Sequence, residues 1–319
     1  MTRTLPHWVG NEYTIHAGDY SAVITEQGAG LERLDWNGKE LIVPFDPDDP
    51  VSACRGQLLI PYPNRIEDGE YEFEGNKYLF PIDEHERNNS IHGLGYRYPW
   101  KLVSLTDSSI TLSWRTPNLA SYPFDLYVET TYTVDAEAGL SVTVSACNND
   151  KKNAPWALAQ HPWLANGEHH TTTEEIEADN AACRLTIPAK THVIASERLL
   201  PAGLEDVEGT RFDLRHGNEL GMQEFDDAWT DVEYNAQGTV TATFLRPDGV
   251  EISLSGDKTI TSFQVCNGYG WDAEKKPQGV AVEPQTAYAN AFRSGKDLIV
   301  IKPGETSSTT LTYSARMAH

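Results

Sequence analysis

Apolar and polar residues alternate at a period of two along much of this chain. That pattern limits what it can fold into more than any other feature. Leu140, Val142, Val144 and Ala146 alternate with Ser141, Thr143 and Ser145, and Ile110, Leu112 and Trp114 with Thr111 and Ser113. A strand of this kind buries one face and wets the other. Hairpin signals recur between such runs. Asn37-Gly38 separates residues 31–36 from 39–43, Glu74-Gly75-Asn76 separates 71–73 from 78–80, and Pro247-Asp248-Gly249 separates 240–244 from 250–254. By the same signal, the turn at 302–305 separates 298–301 from 309–313. Helical periodicity is scarce, and the one place for a short helical turn is residues 195–200. The acidic stretch 168–177 reads as a surface loop leading into a strand. The pattern predicts an all-β chain of stacked sheets and excludes a parallel α/β sheet.

No repeat, low-complexity segment or linker rich in Gly and Ser divides the 319 residues, so a single domain over residues 1–319 is expected. Lys and Arg number 25 against 47 Asp and Glu, a net charge of −22. Such a surface repels phosphate backbones and anionic lipid, so no nucleic acid or membrane partner is expected. Much of the charge simply serves solubility. Cys54, Cys147, Cys183 and Cys266 form no CxxC pair, which leaves buried free thiols and no zinc knuckle. The first eight residues carry no apolar signal core, and no apolar run approaches the ~20 residues of a membrane span. A cytoplasmic protein is expected, and nothing in the pattern specifies an oligomer.

Three segments carry proton-transfer chemistry. Glu283 precedes Pro284 in an extended, loop-rich stretch, residues 279–286. His92 precedes Gly93, a neighbour that lets a ligand or another backbone come close, and His161 precedes Pro162 and Trp163. One carboxyl and two imidazoles in such settings are the parts of an acid–base site at neutral pH. Arg65, in the Pro-punctuated run 61–66, can offer a fork of donors to hydroxyls or to a carboxylate. Asp226 or Asp227 can accept from vicinal hydroxyls, although the doublet also reads as an ordinary acidic turn. The His169-His170 pair reads as surface, because adjacent side chains point apart. Gly268-Tyr-Gly270 is a loop and not a phosphate cradle, because no helix follows it.

Each signal alone is weak, but their order is specific. Asn64-Arg65-Ile66, then His92-Gly93, His161-Pro162-Trp163, Phe225-Asp226-Asp227 and Glu283-Pro284-Gln285 follow one another along the chain. This order resembles the aldose 1-epimerase (galactose mutarotase) family from about Gly28 to the final strand. The stretches 63–73 and 87–94 look most like a bacterial subgroup that includes proteins assigned to sugars other than galactose.

The resemblance implies a large antiparallel β-sandwich of the galactose mutarotase-like supersandwich type. It also implies interconversion of the α and β anomers of an aldose, a free monosaccharide, with no metal or other cofactor. Carried over residue by residue, Glu283 matches the general base, His161 the general acid and His92 the second histidine at the ring oxygen. Arg65 matches the substrate-positioning arginine and Asp226 the hydroxyl-binding aspartate, and Asn64 and Trp163 are expected to bind the sugar beside them. Trp163 stands where the family often has Tyr, which keeps an aromatic wall and removes a hydroxyl, and Trp100 and Trp271 can offer further apolar faces to a neutral pyranose. The many carboxylates of the chain are expected to help keep His161 protonated. The rival readings are a hexose-6-phosphate 1-epimerase, a glycoside hydrolase using Glu283 with Asp226 or Asp227, and a non-catalytic sugar-binding β-sandwich.

Overall fold

Two large antiparallel sheets dominate the structure, a computed structural model that describes residues 7–48 and 51–318. The first has nine strands, with Leu126–Asp135, Gly139–Asn148, Thr306–Met317 and Val250–Gly256 in neighbouring positions at its centre. The second has eight, with Ala189–Ala195, Asp226–Val232, Ser262–Cys266 and Gly279–Gln285 side by side. A four-stranded meander, Glu12–Ala17 to Lys39–Glu40, completes the N-terminal part. The described chain thus has the expected all-β architecture.

Period two explains how the layers meet. In Gly139–Asn148, Leu140, Val142, Val144 and Ala146 are buried and their Ser and Thr neighbours are less so. The buried rows of both sheets join one apolar cluster, with Val142, Leu254 and Leu311 from the first and Trp229, Phe263, Val265 and Val282 from the second. Each such side chain is worth about 1.5–3 kcal/mol when fully buried. Polar pins cross this core. The Tyr313 hydroxyl donates to Gln160 Oε1 at 2.9 Å, and the Tyr132 hydroxyl donates to Ala29 O at 2.6 Å.

The hairpin signals hold at three of four places. Asn37 and Gly38 take φ of 50° and 72°, the mirror-image turn that matches strand twist. Glu74 and Gly75 do likewise, with Asn76 already opposite Phe73 in the ladder. Val240–Leu245 pairs with Val250–Gly256. The fourth is a tight turn, with the Glu305 N–H donating to Lys302 O at 2.9 Å, but it is not a hairpin. Ile299–Ile301 pairs with Ala154–Trp156, while Thr306–Met317 enters the nine-stranded sheet. A turn signal fixes a reversal of direction and not the partner of the strand that follows.

Two further expectations are corrected. Residues 195–200 are the end of a strand and a turn, with no helix. A ten-residue helix lies instead at Thr173–Ala182, beginning inside the stretch 168–177 read as a surface loop, and a four-residue one at Ala291–Ser294. Thr172 caps the longer helix, its Oγ1 accepting from Glu175 N at 3.3 Å and donating to Glu175 Oε2 at 2.7 Å. Thr172-x-x-Glu175 has the spacing of a capping box, with the carboxylate here on the Thr172 hydroxyl, and acidic residues in the first turn suit the helix dipole. No helix among the described residues is long and apolar enough to cross a membrane.

Candidate active site

The floor of the candidate site follows from strand register. Glu283 lies within Gly279–Gln285, a wholly buried strand, and not in a loop. Alternation sends Val280 and Val282 into the core and turns Ala281 and Glu283 to the other face. On the next strand Gln264 stands opposite Glu283 and Cys266 opposite Ala281. On the one beyond, Asp226 stands opposite Cys266 and Ala228 opposite Gln264.

On the other flank Ala159 pairs with Gln285 and Trp163 with Ala281, so the same register sets His161 opposite Glu283. Pro162 and Pro284 have no N–H to give, and pairing is interrupted between them. The His161 backbone instead bonds to Gln57 O at 3.0 Å and accepts from Gly56 N at 2.8 Å. Its ring meets the carboxyl of Glu283, Nε2 to Oε1, at 3.2 Å.

A two-stranded ribbon, Arg65–Glu67 with Asn89–Ile91, supplies the opposite wall. His92 follows it with φ of 63°, and its N–H donates to Asn64 O at 2.8 Å. The Asn64 N–H donates to His92 Nδ1 at 3.2 Å, which makes Nδ1 an acceptor and leaves the ring hydrogen on Nε2. The ring stands edge-on to His161, centroids 5.6 Å apart at 86°. Gly93 is needed beside it, because a Cβ there would lie 2.4 Å from Ile60 O at φ +67°.

Arg65 is held by a residue with no signal in the sequence reading. Its Nε and Nη2 donate to Glu84 Oε2 and Oε1, each at 2.9 Å, and the Asn89 amide donates to Glu84 Oε2 at 2.8 Å. Glu84 sits in an acidic run, 83–86, that looks like ordinary solvated surface.

Asn64, Arg65, His92, His161, Trp163, Asp226 and Glu283 all line one cavity of about 190 Å³. Gln264, Cys54, Cys266 and Trp271 line it too, and the sequence reading assigned none of them a role at a site beyond an apolar face for Trp271. The doublet separates by face. Asp226 accepts from Gln264 Nε2 at 2.7 Å, whereas Asp227 Oδ1 lies 2.8 Å from His192 Nε2. Trp163 is fixed by its indole N–H, which donates to Ala53 O at 3.0 Å, and it runs nearly parallel to the His161 ring. The expectation of an apolar face from Trp100 is corrected, because that ring belongs to the core and stacks on Trp114. The cysteines are free; Cys183 and Cys266 are buried, while Cys54 and Cys147 are half-buried.

Burial sets the electrostatics. It pushes the Glu283 carboxyl up to about 8, with the Asp226 charge adding to the effect and Gln285 and Arg65 opposing it. It pushes the His161 imidazole down to about 4. The expectation that surrounding carboxylates keep His161 protonated is therefore not met, because desolvation dominates at this buried ring. His92 is driven well below its ordinary value, first by burial and then by His161, Arg65 and Arg97. Burial thus favours the neutral form of both groups, Glu283 as the acid and His161 as the base.

Among the described residues, no group of three or more His, Cys, Asp or Glu is arranged to hold a metal ion. His169 is exposed, and His170 pairs with Asp179 at 3.0 Å.

Solved structures share this architecture. The aldose epimerase homologue of Caenorhabditis elegans superposes with a TM-score of 0.83 at 21% identity, covering 97% of this chain and 99% of that one. Galactose 1-epimerase of Lactobacillus acidophilus does so with a TM-score of 0.79 at 18% identity, covering 96% and 94%. The fold is thus of the galactose mutarotase-like class.

Sequence carries the assignment further. The family model of aldose 1-epimerase matches residues 11–314, and the chain belongs to that family. The uncharacterized Escherichia coli protein YihR is 32% identical over 305 residues, 96% of this chain and 93% of that protein. Galactose mutarotase of Rattus norvegicus is 30% identical over 163 residues, half of this chain and 44% of that protein.

Proposed function

We propose that this protein is a mutarotase that opens and recloses the hemiacetal ring of a free aldose by paired proton transfer. The observation that carries the reading is the contact of His161 and Glu283 at 3.2 Å inside a sugar-sized cavity. Opening requires a proton to leave the C1 hydroxyl and another to reach the ring oxygen. In this reading Glu283 exchanges a proton with the C1 hydroxyl and His161 with the ring oxygen, and reclosure after rotation about C1–C2 reverses both. Each transfer by a positioned group is worth roughly 10²–10⁴-fold.

The single proton of the pair suits this cycle. Carboxylate with imidazolium opens the ring, and carboxylic acid with imidazole closes it. Burial favours the second state, and the first differs from it by one proton moved from Glu283 to His161. His92, neutral and protonated on Nε2, donates a hydrogen bond to the oxygen at which charge develops. Arg65, fixed by Glu84, and Asp226, fixed by Gln264, are a donor and an acceptor for ring hydroxyls. Asn64 holds both His92 and Arg65 in place. Trp163 offers the pyranose an apolar face.

Polarimetry of freshly dissolved α-anomers across a panel of aldoses tests the reading. Wild type should speed the relaxation for at least one sugar. Glu283→Gln, which keeps the shape and loses the basicity, should lower kcat by about 10²-fold or more with the fold intact. A folded variant with near-normal rates would falsify the assignment.

A further inference from the structure

One wall of the cavity is not part of any sheet. Trp271 comes from the loop between Ser262–Cys266 and Gly279–Gln285, and it meets the Trp163 ring at 5.9 Å and 54°. The loop turns at Gly268 and Gly270, with φ of 58° and 77°. A Cβ at Gly268 would lie 3.1 Å from the Trp271 indole. The indole also borders a second cavity of about 400 Å³, which shares Arg65, Asp226 and Cys266 with the first. Trp271 is therefore part of the partition between the two.

The two short contacts that tie this loop to the helix converge on one carboxylate. Glu177, on the Thr173–Ala182 helix, accepts through Oε1 from the Gly270 N–H and from Lys276 Nζ, both at 2.7 Å. These two donors flank Trp271 in the chain. A weaker contact, Thr173 Oγ1 to Trp271 O at 3.4 Å, joins the same two elements. The Lys276 side chain is 1% exposed and that of Glu177 11%. A buried ion pair gains little net stability over an apolar pair of the same size, yet breaking one partner is costly. Its effect here is to fix where the loop sits.

We propose that Glu177 is a positioning residue that acts through Gly270 and Lys276 to hold Trp271 against the substrate cavity. The proposal rests on the reading of that cavity as the aldose site. Trp271 meets the sugar equally in ground and transition states, so loss of the latch weakens binding and leaves the chemical step alone.

The test is a double-mutant cycle read by polarimetry and by acrylamide quenching of Trp271 emission, isolated by difference from Trp271→Phe. Glu177→Gln should raise KM about two- to tenfold, the range an aromatic contact is worth, and leave kcat within about twofold. Trp271→Ala should raise KM comparably, and Glu177→Gln added to it should change nothing more. Glu177→Gln should also make Trp271 more accessible to quencher, and Glu177→Asp should fall between it and wild type. Should Glu177→Gln fail to fold, Lys276→Met takes its place with the same expectations. Additive effects on KM, a fall in kcat at constant KM, or quenching unchanged from wild type would each overturn the proposal. The quenching arm needs no sugar, so an inactive wild type would sink the mutarotase reading and leave the latch still decided.

Discussion

His161 and Glu283 hold one proton between them, and that makes the pH response of this protein specific. A productive pair needs one acid and one base. Below about 4 His161 takes a second proton, and above about 8 Glu283 loses its own. The profile of kcat/KM against pH should be a bell with limbs near those values, each belonging to the pair as a whole. A flat profile from pH 5 to 10 would contradict it. Stability should respond as well. The Glu283 carboxyl is raised from 4.5 to about 8 in the folded chain, so the unfolded chain binds fewer protons between those values. The slope of stability against pH is negative there, and the contribution of Glu283 is lost as pH rises through the window. Glu283→Gln does not titrate. Its Tm advantage over wild type should therefore grow from about pH 4.5 to about pH 8 and then level off, as calorimetry at stepped pH would show.

At the scale of the element, the Arg65–Glu67 and Asn89–Ile91 ribbon does the positioning that the sheet does not. It has only three residues a strand, and it is held by side chains as much as by ladder bonds. Glu84 joins Arg65, Arg87 and Asn89 in one cluster, with Arg65 8% and Glu84 7% exposed. Glu84→Gln removes the charge and leaves a buried guanidinium without its partner, which costs on the order of 3–5 kcal/mol. Urea unfolding should register that loss, and KM for the sugar should rise as Arg65 loses its fixed direction. Full stability with normal KM would mean that the guanidinium is held by Asn64 alone.

For the whole molecule, the charge of −22 reaches into the site. The two adjoining cavities are lined by Glu84, Glu86, Glu224 and Asp226 against Arg65 and Arg87, while Glu283 is neutral at pH 7. Both guanidiniums already contact Glu84, at 2.9 and 3.2 Å. A phosphate bears close to two negative charges at neutral pH and wants several free donors. A free aldose should thus have a higher kcat/KM than its 6-phosphate at matched, moderate salt, and the gap should narrow as salt screens the long-range part. A clear preference for the phosphate would move the protein to the hexose-6-phosphate reading.

The all-β class was legible without coordinates, because period two and Asn-Gly turns act within a few residues. So were the seven residues that gather in the first cavity, although each motif alone is weak, because the order of the motifs along the chain resembles that of the aldose 1-epimerase family. The sequence by itself also determined that Asp226 and Asp227 face opposite ways once they lie in a strand; only the tertiary structure decided which one faces the cavity. The same holds for Glu84, Gln264 and Glu177, whose partners lie on other elements and leave no local trace. Strand register decided that His161 faces Glu283, through pairings of residues more than a hundred positions apart. Burial then decided where the proton rests. Local composition reports neighbours in the chain, whereas desolvation and register depend on neighbours in space, and those exist only after the sheets have stacked.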